Sequence, residues 1–208
     1  MTNRVQRNPW LATRTRSGGE YDAPYAARAA AGIDIHGEAT FLMQLFAEQL
    51  TALAPEAGLH VLDAGCGTGR IAIELARRGC QIVGVDLDEE MLKQARKKAP
   101  ELVWQQGDLS TITLERAFAS IVLAGNVMIY LTPGTEAAVL ANMANHLAPD
   151  GLLVAAFELA PPSWSQLTLS LYDQLAAAAG LTLVERWSTW ERTPWVSSSP
   201  YAVSVHRK

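Results

Sequence analysis

The 208-residue chain has only two cysteines, Cys66 and Cys80. That rules out a disulfide framework and points to a reducing compartment, the cytoplasm. No run of about 18 apolar residues occurs, which excludes a transmembrane helix. No apolar segment follows the first residues, so a secretory signal is not expected. A basic excess is also missing: 17 Lys+Arg stand against 21 Asp+Glu, for a net charge of -4. Proteins held on nucleic acid by phosphate contacts are ordinarily basic, so nucleic acid is disfavoured as a partner. Charged residues are 18% and hydrophobic ones 49%, which excludes general disorder. No repeat, linker or shift of composition divides the chain. Its length suits a single domain able to bury a core without disulfides.

What is present begins with a polar arm. The first 20 residues contain Arg4, Arg7, Arg14 and Arg16, no acid before Glu20, and breakers at Asn8-Pro9 and Ser17-Gly18-Gly19. Transit peptides can share that composition; a short arm, disordered or clamped on the fold, is the preferred reading. Tyr21 to Gly32 is alanine-rich and predicts a helix. Phe41, Leu42, Leu45, Phe46, Gln49 and Leu53 share one helical face and predict an amphipathic helix from His36 to Leu53. Strands and helices then alternate. Strands are expected at 60–63, 81–85, 102–105, 118–123 and 152–157, and helices at 70–78, 89–98, 135–147 and 164–179. Pro149-Asp150-Gly151 reads as a turn closing the third of these helices. Two last strands, 182–190 and 202–206, have no helix between them and are expected to form an antiparallel hairpin. The alternation implies a mostly parallel sheet covered on both faces.

In an open parallel sheet, ligands bind beyond the carboxyl ends of the strands. Three features fall there. Asp63-Ala64-Gly65-Cys66-Gly67-Thr68-Gly69-Arg70 is a glycine turn between strand and helix, where backbone can approach a ligand closely. The dinucleotide fingerprint would need glycine at 70, where Arg70 stands. A pyrophosphate gains nothing from Asp63, whereas a ligand with a positive centre does. Asp86 closes the second strand 23 residues after Asp63. An acid about 20 residues on is placed to bind both hydroxyls of a ribose; a surface strand-end acid is the alternative. Leu87 and Met91 then flank a base or belong to the core. Gln106-Gly107-Asp108-Leu109 follows the third strand and can reach a base edge, or is an ordinary turn.

On these residues the chain resembles the class I S-adenosylmethionine-dependent methyltransferases. Val61 to Gly69 resembles the family's first motif, and Gly84 to Leu92 its ribose motif. Gly107-Asp108-Leu109 is similar to its adenine motif, and Leu147 to Leu153 to the segment before its fifth strand. The resemblance covers about residues 36–207 in order. It implies a Rossmann-like α/β fold, a seven-stranded mostly parallel sheet in the order 3-2-1-4-5-7-6 with strand seven antiparallel. It also implies residues 1–35 as arm and cap and 36–208 as the methyltransferase domain. S-adenosyl-L-methionine is the implied cofactor. Asp63 would face its ammonium end, and Gly65, Cys66 and Gly67 would lie along its methionine part. Asp86 would hold the ribose, with Leu87 flanking the adenine that Asp108 and Leu109 would bind. Gly125 and Asn126 would line the sulfonium side, and Tyr21 or Tyr25 would fold over the cofactor.

Methyl transfer is an in-line displacement from an activated leaving group, so alignment and desolvation carry most of it. A base is needed only for a protonated nucleophile. His36 is the catalytic candidate, against helix-capping or surface roles. His146 reads as a helix-end cation, His60 lies at the wrong end of the sheet, and His206 is in the last strand. Glu158 faces the acceptor or caps a turn. Cys66 also reads as a small packing residue, and neither cysteine has metal partners at ligand spacing, so no metal is expected. Ala124 to Tyr130 lacks the Asn/Asp-Pro-Pro-Tyr/Phe of the family's adenine amino-methylases. It has Asn126 where catechol-type relatives use a metal-binding Asp. Leu159 to Ser163 reads as a connection too short for a lid. Trp164, Trp187, Trp190 and Trp195 line a pocket or pack the hairpin. The expected partner is a small-molecule methyl acceptor, with the chain a monomer or homodimer off the membrane. Alternatives are a cofactor-binding module without catalysis, a protein or RNA methyltransferase, and, less compatible with Arg70, a nicotinamide oxidoreductase.

Overall fold

The computed structural model describes residues 8–15, 17–50 and 58–208. Three helices precede the sheet: α1 (Pro9–Thr13), α2 (Gly18–Ala30) and α3 (Gly37–Gln49). Asn8 caps α1, accepting the N–H of Leu11, with proline at the first helical position, where its missing N–H costs nothing. Ser17 and Glu20 form a reciprocal capping box on α2. Leu53 and the end expected for α3 lie outside the described residues.

The sheet elements follow in alternation: β1 (His60–Ala64), α4 (Arg70–Arg77), β2 (Gln81–Asp86), α5 (Glu89–Lys98), β3 (Val103–Gln106), β4 (Phe118–Leu123), α6 (Glu136–His146), β5 (Leu147–Glu158), α7 (Leu169–Ala178), β6 (Thr182–Trp187) and β7 (Tyr201–Arg207). Seven strands lie in the order β3-β2-β1-β4-β5-β7-β6. β1 pairs in parallel with β2 and β4, and β7 runs antiparallel to both β5 and β6. Alternate residues of each central strand feed two cores. Leu62, Val85, Ile121 and Phe157 pack under α6 and α7. Val61, Val122 and Val154 pack under α3 and α4. Among the described residues, no helix is long and apolar enough to cross a membrane.

Two boundaries differ from expectation. The helix expected from Trp164 starts only at Leu169, because the Thr168 hydroxyl caps it by accepting the N–H of Leu171 at 3.1 Å. Upstream, the Trp164 indole donates instead to the Ile129 carbonyl at 3.2 Å. The link from β5 to α7 is therefore longer than Leu159 to Ser163 and reaches the loop after β4. Pro149-Asp150-Gly151 does not separate helix from strand. β5 starts at Leu147 and absorbs Asp150, at φ 61°, as an irregularity where its register with β4 shifts.

Candidate active site

The carboxyl ends of β1, β2 and β4 meet around the glycine turn. Gly65 and Cys66 donate their N–H groups to the Val85 carbonyl at 2.7 and 3.0 Å, which ties the turn to β2. Asp86 continues that tie: one carboxylate oxygen accepts from Gly67 N–H at 2.7 Å, the other from Asp88 N–H at 2.8 Å. Burial pushes its carboxyl upward, and these N–H groups pull it back. Each oxygen keeps a further lone pair for a hydroxyl donor. Asp63 is 2% exposed and accepts from Ala72 N–H at 3.1 Å. Burial pushes its carboxyl up to about 7, the Ala72 N–H offsetting only part of that. Asp108 accepts from the backbone N–H and hydroxyl of Ser110, at 2.8 and 2.6 Å.

Two adjoining cavities share Tyr21, Gly65, Gly67 and Gly125 and so form one cleft across the strand ends. One half is bordered by Asp86, Leu87, Met91, Asp108 and Leu109. The other is bordered by Asp63, Cys66, Thr68, Arg70 and Tyr25. A Cβ on Gly67 or Gly125 would meet no protein atom within 4 Å, and both glycines have positive φ. The turn thus leaves space for a ligand against bare backbone. An elongated molecule with a diol at one end and an ammonium-carboxylate pair at the other matches this donor set. Asp86 answers the diol, Asp63 the ammonium, and Arg70 lies beside the carboxylate end.

The N-terminal helices close over the cleft. The Trp10 indole donates to Asp88 at 2.9 Å, and Arg14 pairs with the same oxygen at 2.7 Å. Asp22 accepts from the Thr68 hydroxyl at 2.5 Å and pairs with Lys98 at 2.8 Å. Arg70 joins Glu38 and the Ile35 carbonyl, with its guanidinium 4.5 Å above the Tyr25 ring. The arm is clamped.

Several candidates stand elsewhere. Asn126 borders neither cavity: its amide oxygen accepts from Glu158 N–H at 2.8 Å, stitching the ends of β4 and β5. His36 borders neither cavity and lies 3.9 Å from Glu74 on α4. His146, at the end of α6, ties that helix to the segment after β3: its Nε2 takes the Leu114 N–H at 3.0 Å and its Nδ1 lies 2.8 Å from the Asn142 carbonyl. Trp187 and Trp190 pack on the α3 side of the sheet, Trp190 against Phe41. Trp195 lies under Arg186. Trp164 is different: its ring leans on Tyr130, a cleft residue. Sequence reasoning missed Asn8, Trp10, Val127, Tyr130 and Leu131 as wall residues. The available signal was Trp10-Leu11, an apolar pair in an otherwise polar arm.

This strand order, with β7 antiparallel, is the Rossmann-like class I methyltransferase fold. A family model described as a methyltransferase domain matches residues 61–151. A TehB-like SAM-dependent methyltransferase from Corynebacterium glutamicum is 33% identical, with a TM-score of 0.77 over 92% of this chain and 97% of that one. A methyltransferase structure from Clostridium acetobutylicum shares the fold at 13% identity, with a TM-score of 0.76 over 91% and 98% of the two chains. In Streptomyces venezuelae, dTDP-3-amino-3,4,6-trideoxy-alpha-D-glucopyranose N,N-dimethyltransferase is 33% identical over 64% of this chain and 54% of its own length. The chain spans about half the length of the curated relatives it matches first. It belongs to the S-adenosylmethionine-dependent methyltransferases, whose cofactor is S-adenosylmethionine.

Proposed function

We propose that the chain is an enzyme that moves a methyl group from S-adenosylmethionine to an O, N or C nucleophile of a small molecule. The observation that carries this is the single cleft, acid-lined in both halves and roofed by the arm. In this reading Asp86 holds the ribose diol, and Leu87 and Met91 flank the adenine that Asp108 and Leu109 meet. Asp63 faces the ammonium group, Gly65, Gly67 and Cys66 give it a bare turn, and Gly125 borders the sulfonium. Tyr21 and Tyr25 close over it. The cofactor supplies an electrophilic methyl group on a sulfonium. The protein supplies alignment and exclusion of water, which for an activated leaving group is most of the task. His36 borders neither half of the cleft, and this reading assigns it no base role. The amino-sugar acceptor in the Streptomyces relative's name supports a small-molecule class.

Calorimetry with S-adenosylmethionine, S-adenosylhomocysteine and NAD tests the reading. Both sulfur ligands should bind at about micromolar Kd, and NAD should not. NAD binding alone would overturn it, and cofactor binding without demethylation against a metabolite library would favour a non-catalytic module.

A further inference from the structure

We propose that the acceptor of this cleft is an uncharged, flat, π-rich molecule that attacks through a heteroaromatic ring nitrogen whose lone pair is free near neutral pH. This deepens the methyltransferase reading and rests on it.

The wall left over once the cofactor residues are assigned presents two large rings, Trp10 and Tyr130. Trp10 stands edge-on to Tyr21 and to Tyr130, with ring centroids 5.9 and 5.7 Å apart and interplanar angles of 85° and 89°. Trp164 tilts against the far side of Tyr130 at 5.7 Å. Val127 and Leu131 add apolar surface, and Asn8, Thr132 and Thr135 a polar edge. Such an arc offers ring faces and edges to a flat guest.

Charge narrows the guest further. Among the described residues no Lys, Arg or His borders the cavity, so an anionic acceptor finds no ion-pair partner on the wall. The neighbouring cations are already engaged, Arg14 by Asp88 and Arg70 by Glu38. A cationic acceptor would meet the sulfonium of the cofactor. A neutral one meets neither penalty.

Two of the wall's polar side chains are engaged within it, and none of the residues left to the acceptor is a His, Lys, Asp or Glu. Asn8 donates its amide to the Tyr130 carbonyl at 3.1 Å, and the Thr135 hydroxyl donates to the Thr132 carbonyl at 2.7 Å. Burial, then the adjacent Tyr25, holds the Tyr21 phenol far above its usual range, so it stays protonated. Asp63 lies beneath the turn, bound to α4. The nucleophile therefore arrives with its lone pair already free.

The transfer balances on these terms. The ring nitrogen's lone pair forms the new nitrogen–carbon bond, the carbon–sulfur bond breaks, and its electron pair stays on sulfur. Positive charge passes from sulfur to the ring, where the aromatic wall stabilises it. A ring that carries an N–H releases that proton to water.

The test uses the full chain and two matched pairs: benzimidazole with benzimidazole-5-carboxylate, and quinoline with quinoline-6-carboxylate. S-adenosylhomocysteine binding is measured in parallel. The uncharged member of each pair should show kcat/KM at least about ten-fold above its carboxylate. Thr132→Lys, which adds a cation to the wall, should shrink that ratio by about ten-fold with cofactor-product affinity unchanged. Trp10→Ala should raise KM for the uncharged acceptors more than it lowers kcat, and Trp10→Phe should restore KM. Equal or better use of the carboxylates, or binding of S-adenosylhomocysteine with no turnover of either uncharged ring, overturns the acceptor class. Failure to bind S-adenosylhomocysteine overturns the methyltransferase reading instead.

Discussion

Asp86 carries two tasks on one carboxylate. Its oxygens take the N–H groups of Gly67 and Asp88, which fixes both the glycine turn and the start of α5. The lone pairs that remain are the proposed ribose ligands. Asp86→Ala is expected to weaken S-adenosylhomocysteine binding by about 1–3 kcal/mol, the cost of a lost charged hydrogen bond. Calorimetry reads this directly, and an unchanged Kd would remove Asp86 from the ribose role. Asp63, Gly67, Asp86 and Asp108 were legible in the sequence because each sits in the last two residues of a strand or two to three residues past one, and the composition of those strands announces them. Asn126 and His36 were not. Their side chains answer to Glu158 and Glu74, 32 and 38 residues away in sequence, and no local pattern encodes which way a side chain turns between two distant partners.

At the scale of elements, the clamped arm depends on the first residue before α5. Asp88 is 3% exposed, caps α5 through Glu90 N–H at 3.0 Å, and receives both Trp10 and Arg14. Asp88→Ala removes cap and latch together and should cost about 0.5–2 kcal/mol from the cap alone. Asp88→Asn keeps an oxygen for the cap but loses the charge that holds Arg14. It should leave the urea midpoint near wild type while trypsin cuts after Arg14 faster. An unchanged cleavage rate would mean that this pair does not hold the arm. The start of α7 teaches a related lesson. Trp164 to Leu167 suits a helix by composition, yet the indole's bond to the Ile129 carbonyl and the Thr168 cap delay the first turn. The same tertiary pull brings Trp164 against Tyr130 and the cleft wall.

For the whole molecule, two buried titratable groups tilt stability in opposite directions with pH. Asp63 is held up at about 7 in the fold by burial, against about 3.9 in an unfolded chain. Its contribution is full below that lower value and is lost as pH rises through the folded one. His206, buried beside Tyr172, is pulled down to about 4 by burial, from about 6.5 when unfolded. Its contribution is full above the unfolded value and is lost as pH falls toward the folded one. Asp63→Asn should therefore leave a stability that rises with pH across this interval, and His206→Leu one that falls. Urea unfolding at steps of pH separates them, and parallel profiles for the two variants would refute both assignments. Asp63→Asn should also weaken cofactor binding, since the ammonium group loses its charged partner.

Strand and helix order, the glycine turn and the acids at the strand ends are written in the sequence itself. They rest on local periodicity and on residue types with narrow backbone preferences. The long-range pairing that seats β7 between β5 and β6 is foreshadowed by the missing helix between the last two strands. Only the tertiary structure decided which aromatic rings face the cleft, that residues 8–15 are clamped through Asp88, and that Asn126 and His36 meet Glu158 and Glu74. Those outcomes depend on contacts between residues far apart in the chain, where packing and hydrogen-bond satisfaction of buried groups outweigh any local preference.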